Sequence, residues 1–252
     1  MGTPVVLITG ALAGIGRAVA EAFARQGARL VVSGRNNEAG QRLVKDLSAN
    51  GSEAEFVAAD VRREDDLRGL VDRAVERFGR LDVAVNCAGT EGEQALLTQH
   101  SAATYAATFD TNVLGTVLSL KHELRVMIAQ GSGSIINLSS TMGSRGAPGA
   151  SMYVASKHAV EGLTKSAAIE AAPYGVRVNA VAPGPIDTEM LSRFAGSVDK
   201  KTHWPRVFRL DVSGVRKKSL KRSCFWLRAT LHFSRARSFM STEARRHFES
   251  LH

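Results

Sequence analysis

The stretch Val5-Val6-Leu7-Ile8-Thr9-Gly10-Ala11-Leu12-Ala13-Gly14-Ile15-Gly16 decides the architecture of this chain of 252 residues. Its first five residues, rich in β-branched side chains, form a compact apolar strand. Three glycines follow, and then Ala, Val and Phe recur at helical spacing over residues 15–26. Glycines permit a tight turn and let the backbone approach a ligand closely. The helix opened by the turn points free N–H groups at an anion. The spacing is G-x-x-x-G-x-G rather than G-x-G-x-x-G. A tight βα turn with no ligand is the plainer reading; the position between strand and helix favours the anion cradle.

The same alternation continues outward. Strands are expected over residues 5–9, 29–33, 54–58, 81–85, 134–138 and 176–181. Helices are expected over residues 15–26, 38–49, 64–78, 101–129 and 152–172. Such alternation gives right-handed βαβ units and a doubly wound parallel α/β sheet covered on both faces. Ligands of such sheets bind beyond the carboxyl ends of the strands. With 44% hydrophobic and 23% charged residues, the chain is neither disordered nor collagen-like. Two cysteines, Cys87 and Cys224, are too few for a disulfide scaffold. No apolar run reaches transmembrane length, and the first residues lack signal-peptide character. A soluble, cytoplasmic chain is expected.

Further motifs stand at the ends of these strands. Asp60-Val61 follows the third, and Asn86-Cys87-Ala88-Gly89 the fourth. Asn112 lies in the long helical region, and Ser140 follows the fifth strand. Tyr153-Val154-Ala155-Ser156-Lys157 fits Y-x-x-x-K, and Pro183-Gly184-Pro185-Ile186-Asp187-Thr188 follows the sixth strand. In this ordered set the chain resembles the short-chain dehydrogenase/reductase family, over roughly residues 4–195. Cys87 departs from the family's N-N-A-G at its second position. The resemblance implies a Rossmann-like single domain over residues 1–197. It also implies a dinucleotide site. Gly10, Leu12, Gly14, Ile15 and Gly16 would form its glycine loop, and Asp60 and Val61 would contact adenine. Asn86, Ala88 and Gly89 would add the loop after strand four. Pro183, Gly184, Ile186 and Thr188 would close the cofactor loop after strand six.

Tyr153 and Lys157, four residues apart, share a helix face. A free tyrosine titrates near pH 10, too high for a base at neutral pH. A nearby ammonium favours the phenolate and lowers that value. Tyr153 is therefore expected to exchange a proton with a substrate oxygen. The resemblance implies that Lys157 also reaches the nicotinamide ribose and that Ser140 hydrogen-bonds the substrate oxygen. It implies that Asn112 holds a water in a proton relay to Lys157. The implied reaction interconverts a ketone and a secondary alcohol by hydride transfer, with the cofactor carrying the hydride. Each residue has a plainer reading too. Tyr and Lys at this spacing are ordinary on a helix surface, and Ser139 and Ser140 can simply end a strand. Cys87, with no partnered histidine evident, reads as a small packing residue. His100, His122 and His158 lack metal-ligand spacing, so no metal is expected. Arg62-Arg63 reads as a solvated helix start.

An acidic residue at the end of strand two grips a ribose hydroxyl and favours NAD. Gly34 stands there instead, followed by Arg35. A guanidinium pairs with a 2′-phosphate, so NADP is expected. Arg35 stacked on adenine would leave NAD open. The expected partner is a small-molecule carbonyl or alcohol substrate. The resemblance also implies a homo-oligomer, commonly a homotetramer.

Charge marks a second region. Net charge is +9, yet residues 1–199 hold 19 basic and 21 acidic residues, while residues 200–252 hold 14 and 3. Both tryptophans, Trp204 and Trp226, lie in the basic segment, and so does only one of 23 glycines, Gly214. Residues 198–252 therefore read as a basic segment that departs from the family. A nucleic-acid arm, an amphipathic membrane segment and a shifted reading frame all produce such a segment. With suitable codons, Gly214–Leu220 read one base earlier encodes G-R-P-E-E-I-A, and residues 238–244 in that frame encode V-Y-V-D-G-G. Both are hallmarks of the resembling family, so a frameshifted product is expected from about residue 200 onward. The alternative to an active oxidoreductase is then a catalytically impaired dinucleotide-binding chain whose assembly is in doubt; nucleic-acid binding is the least favoured reading.

Overall fold

The computed structural model describes residues 2–195. The expectations for residues 198–252, their frame and their effect on assembly included, lie outside the described residues.

Among the described residues six strands build one parallel sheet: β1 (Val5–Thr9), β2 (Arg29–Gly34), β3 (Ala54–Ala58), β4 (Val83–Asn86), β5 (Gly133–Leu138) and β6 (Val176–Val181). Their order is β3-β2-β1-β4-β5-β6. Seven α-helices accompany them among the described residues: α1 (Gly14–Ala24), α2 (Asn37–Ala49), α3 (Glu64–Phe78), α4 (Ala102–Phe109), α5 (Gly115–Gln130), α6 (Ser151–Ala171) and α7 (Glu189–Ala195). This is the expected Rossmann-like doubly wound sheet. The chain turns outward in opposite directions from β1 and β4, so a crevice opens at their carboxyl ends.

Side-chain alternation along the strands divides the core into two layers. Leu7, Val31, Ala84 and Ile135, in register across the sheet, pack with Leu70, Leu118, Met127 and Ala167 of α3, α5 and α6. Val6, Ile8, Leu30 and Val32 pack with Ala20, Phe23, Leu43 and Leu47 of α1 and α2. Burial on both faces explains why the strands read as nearly continuous apolar runs. Each buried Leu or Ile contributes about 1.5–3 kcal/mol.

Three local features differ from the sequence expectation. The helical region over 101–129 is not uniform: α4 and α5 are joined by a π-helical turn, Asp110–Leu114. β4 begins at Val83, not at residue 81. The Gln130 side chain holds Leu81 instead, accepting from its N–H at 2.8 Å and donating to its carbonyl at 2.8 Å. Finally, α7 follows the loop after β6, where no helix was expected.

Candidate active site

The carboxyl ends of β1, β4, β5 and β6 bring most of the sequence candidates together. Gly10 has φ +65°, and a Cβ there would lie 2.6 Å from the Ala88 nitrogen. A Cβ on Gly16 would lie 2.2 Å from the carbonyl oxygen of Gly10. The glycine loop therefore folds onto itself and onto the loop after β4. Thr188 abuts Gly14, where a Cβ would lie 3.3 Å from its Cγ2. At the start of α1, Ala13 supplies no capping oxygen and no acidic residue stands in the first turn. The first N–H groups of α1 are thus left to an anion. Ile15, Pro183, Gly184 and Ile186 line the same cleft as Tyr153.

Beside β2, Leu12 packs on Gly34, whose added Cβ would lie 2.6 Å from the Leu12 side chain. An acidic residue at 34 would displace Leu12. Arg35 is exposed. The Asp60 carboxyl is held down to about 2, first by hydrogen bonds from Arg62 and lastly by the charge of Arg35. Arg62 Nε donates to both Asp60 oxygens, at 2.9 and 3.0 Å. Arg62 is therefore not a merely solvated helix start: the carboxylate two residues away captures it. The Val61 side chain turns into the core against Gly115. The Asn86 side chain also points away from the cleft, donating to Glu123 Oε2 and Asn137 Oδ1, each at 3.0 Å.

The centre of the cleft holds Ser140, Tyr153 and Lys157. Ser140 begins the turn after β5, its Oγ accepting from the Met142 N–H at 3.2 Å. Lys157 is buried, and its Nζ donates to the Leu138 carbonyl at 2.7 Å. That Nζ lies 5.6 Å from the centroid of the Tyr153 ring. Burial lowers the Lys157 ammonium to about 8. Tyr153 runs opposite to expectation: its hydroxyl is raised above its ordinary value. Burial is the main cause; a hydrogen bond with Ser140 opposes it and the Glu91 carboxylate adds to it. Lys157 sits over the ring and donates to a backbone carbonyl, so its charge does not offset the burial of the hydroxyl.

Asn112 lies on the π-helical turn and is 1% exposed. Its Oδ1 accepts from the Thr90 N–H at 2.8 Å, and its Nδ2 donates to the Thr90 carbonyl and to Ser156 Oγ. The Asn112 side chain is thus bonded to protein on both ends. Gly89 stands between this amide and Lys157: a Cβ there would lie 3.3 Å from Asn112 Oδ1 and 3.7 Å from Lys157 Nζ.

Several site residues escaped the sequence reading. Glu91, Met142, Met190, Leu191 and Phe194 line the cleft. The Phe194 ring lies 6.1 Å from that of Tyr153. Glu91 stands two residues beyond Gly89, a position that marks it for attention, but its partner Arg193 is 102 residues away. Cys87 is buried, which pushes its thiol up to about 12, a poor nucleophile. Among the described residues, no cluster of three His, Cys, Asp or Glu is placed to hold a metal, and no helix is long and apolar enough to cross a membrane.

Comparisons with known proteins agree with this geometry. The model of the short chain dehydrogenase family matches residues 4–197. An A-factor type gamma-butyrolactone 1′-reductase of Streptomyces virginiae is 46% identical over 189 residues, covering 75% of this chain and 74% of that protein. The structure of ElxO with NADP bound has a TM-score of 0.73 at 37% identity, covering 77% of this chain and 79% of ElxO. NAD+-bound xylitol dehydrogenase has a TM-score of 0.74 at 35% identity, covering 76% and 74%. By motif order, fold and relatives alike, the chain belongs to the short-chain dehydrogenases, a family of oxidoreductases.

Proposed function

We propose that the chain interconverts a ketone and a secondary alcohol, with Tyr153 as the general acid/base. The observation that carries this reading is that Ser140, Tyr153 and the buried Lys157 line one cleft beneath the glycine loop. Ser140 would fix the substrate oxygen. Tyr153 would donate its proton to that oxygen in reduction and take it back in oxidation. Lys157 and Asn112 would position this pair and the loop after β4.

A nicotinamide dinucleotide, when bound, supplies or accepts the hydride. The uncapped first turn of α1 fits its pyrophosphate, with Gly10, Leu12, Gly14, Ile15 and Gly16 as the loop. Asp60, Val61, Asn86, Ala88, Gly89, Pro183, Gly184, Ile186 and Thr188 complete the proposed contacts, Val61 and Asn86 through their backbones. Gly34 packed under Leu12, with Arg35 beside it, favours NADP and leaves NAD open. ElxO and xylitol dehydrogenase, which carry NADP and NAD+, span that range. A small neutral carbonyl or alcohol is the proposed substrate. A cytoplasmic homo-oligomer belongs to the same reading, supported by the exposed Tyr105 and Val117 on α4 and α5. The domain is proposed to end near residue 197, with a shifted frame beyond it. Sequencing the coding DNA decides the frame: bases that do not encode G-R-P-E-E-I-A one base earlier overturn it.

The test of function is turnover of a ketone panel with NADPH and NADH by the whole chain and by Tyr153→Phe. The variant is expected to lose about 10²–10⁴-fold in kcat. It should keep the rise in Tm on adding NADPH within about twofold of the parent, because Tyr153 is one of many proposed cofactor contacts and most of them lie elsewhere. Undiminished turnover by the variant refutes the role of Tyr153.

A further inference from the structure

The loop after β4 and α7 are 102 residues apart in sequence, yet two side-chain contacts fasten them together above the cleft. Arg193 donates from Nε to Glu91 Oε1 at 2.6 Å and from Nη2 to Glu91 Oε2 at 3.3 Å. Gln94 Nε2 donates to the carbonyl oxygen of Phe194. The contacts fall on consecutive residues of α7. An ion pair between two exposed side chains adds little, because water screens both partners. This pair is asymmetric: the Arg193 side chain is 59% exposed, but that of Glu91 is only 12% exposed. A carboxylate so sheltered needs its partner. Met190, Leu191 and Phe194 of the same helix line the cleft, and the Phe194 ring leans on Tyr153. What holds Arg193 therefore holds the apolar wall opposite the proposed acid/base.

We propose that Glu91 and Arg193 form a latch that fixes α7 to the loop after β4 and so sets the shape of the wall that the substrate meets. That a substrate occupies this cleft rests on the reading under Proposed function. The two are positioning residues, acting through Met190, Leu191 and Phe194. The wall is apolar apart from the paired carboxylate. With its one carboxylate neutralised by Arg193, it accepts a neutral, compact carbonyl compound. Loss of the latch loosens the wall, so substrate binding suffers more than the proton step at Tyr153.

Amide hydrogen exchange on the intact chain tests the latch without requiring turnover. In Glu91→Gln and in Arg193→Gln, amides of α7 should exchange at least about tenfold faster, with those of β1, β2 and β4 unchanged. The double variant should be no worse than either single one, because both remove the same contact. Arg193→Lys, which keeps the charge, should recover part of the protection. Steady-state kinetics should show KM for a neutral cyclic ketone raised about tenfold and kcat within about threefold. Unchanged exchange in α7, additive effects in the double variant, or a fall in kcat at constant KM each overturn the latch. If exchange behaves as stated but the parent chain reduces no ketone, the latch stands and the proposed reaction fails.

Discussion

Asn112 shows how one buried side chain ties the site to the scaffold. It accepts from one backbone N–H and donates to a carbonyl and a hydroxyl, all at 2.8–3.0 Å. Its partner Thr90 immediately precedes Glu91, so Asn112 fixes the point from which the cleft wall departs. Truncation to Ala would leave the Thr90 N–H without its acceptor. An unsatisfied buried donor costs about 1–3 kcal/mol. Asn112→Ala should lower the unfolding free energy by about that amount in a denaturant titration, and should do so without any ligand. Unchanged stability would show that Thr90 finds another acceptor. A side chain bonded at both ends is a brace for the loop after β4.

At the scale of elements, the close approach of backbone to backbone at the start of α1 is the sharpest constraint. Gly16 faces the carbonyl of Gly10, and backbone atoms have nowhere to yield. Gly16→Ala should destabilise the chain by about 1–3 kcal/mol through overpacking. It should also weaken the rise in Tm given by NADPH, since the loop reshapes; a variant with parental melting and binding would refute this packing. Such features were legible because they are local: strand, glycine cluster and helix follow one another within 20 residues. The strands read clearly because both faces of the sheet are buried, and the Y-x-x-x-K spacing lies on a single helix. The π-helical turn at Asp110–Leu114 left no mark in the apolar periodicity on either side. The release of Leu81 from β4 depends on Gln130, 49 residues away. The Glu91–Arg193 pair joins the loop after β4 to α7, whose proximity the sheet order creates. The raised value of Tyr153 follows from burial, which no spacing rule reports.

The whole molecule carries a polar thread through its larger hydrophobic layer, and that thread shapes its response to pH. Glu123 of α5 is 1% exposed and accepts from Asn86 through Oε2. Asn86 also donates to Asn137, and Asn137 to Thr164 of α6, so the thread runs from helix to helix across β4 and β5. Glu123 Oε1 has no hydrogen-bond partner among the described residues. Burial raises the Glu123 carboxyl from 4.5 to about 7, only partly offset by Asn86. Between those values the folded chain keeps a proton that the unfolded chain has released. Stability therefore falls as pH rises from about 4.5 to about 7, by up to about 3 kcal/mol, and the loss is complete above that window. Asp60 acts in the opposite direction and at lower pH. Its value, depressed from 3.8 to about 2, gives stability that is present above 3.8 and lost as pH falls towards 2. The two groups together place greatest stability near the lower end of the Glu123 window. Glu123→Gln keeps the shape of the side chain and cannot ionise. The parent chain should lose Tm between about pH 5 and about pH 7.5, while Glu123→Gln should show a much flatter profile and melt higher than the parent at the upper end. Equal slopes in the two proteins would mean that Glu123 stays ionised in the fold, its unpartnered oxygen solvated in a way that this packing does not provide.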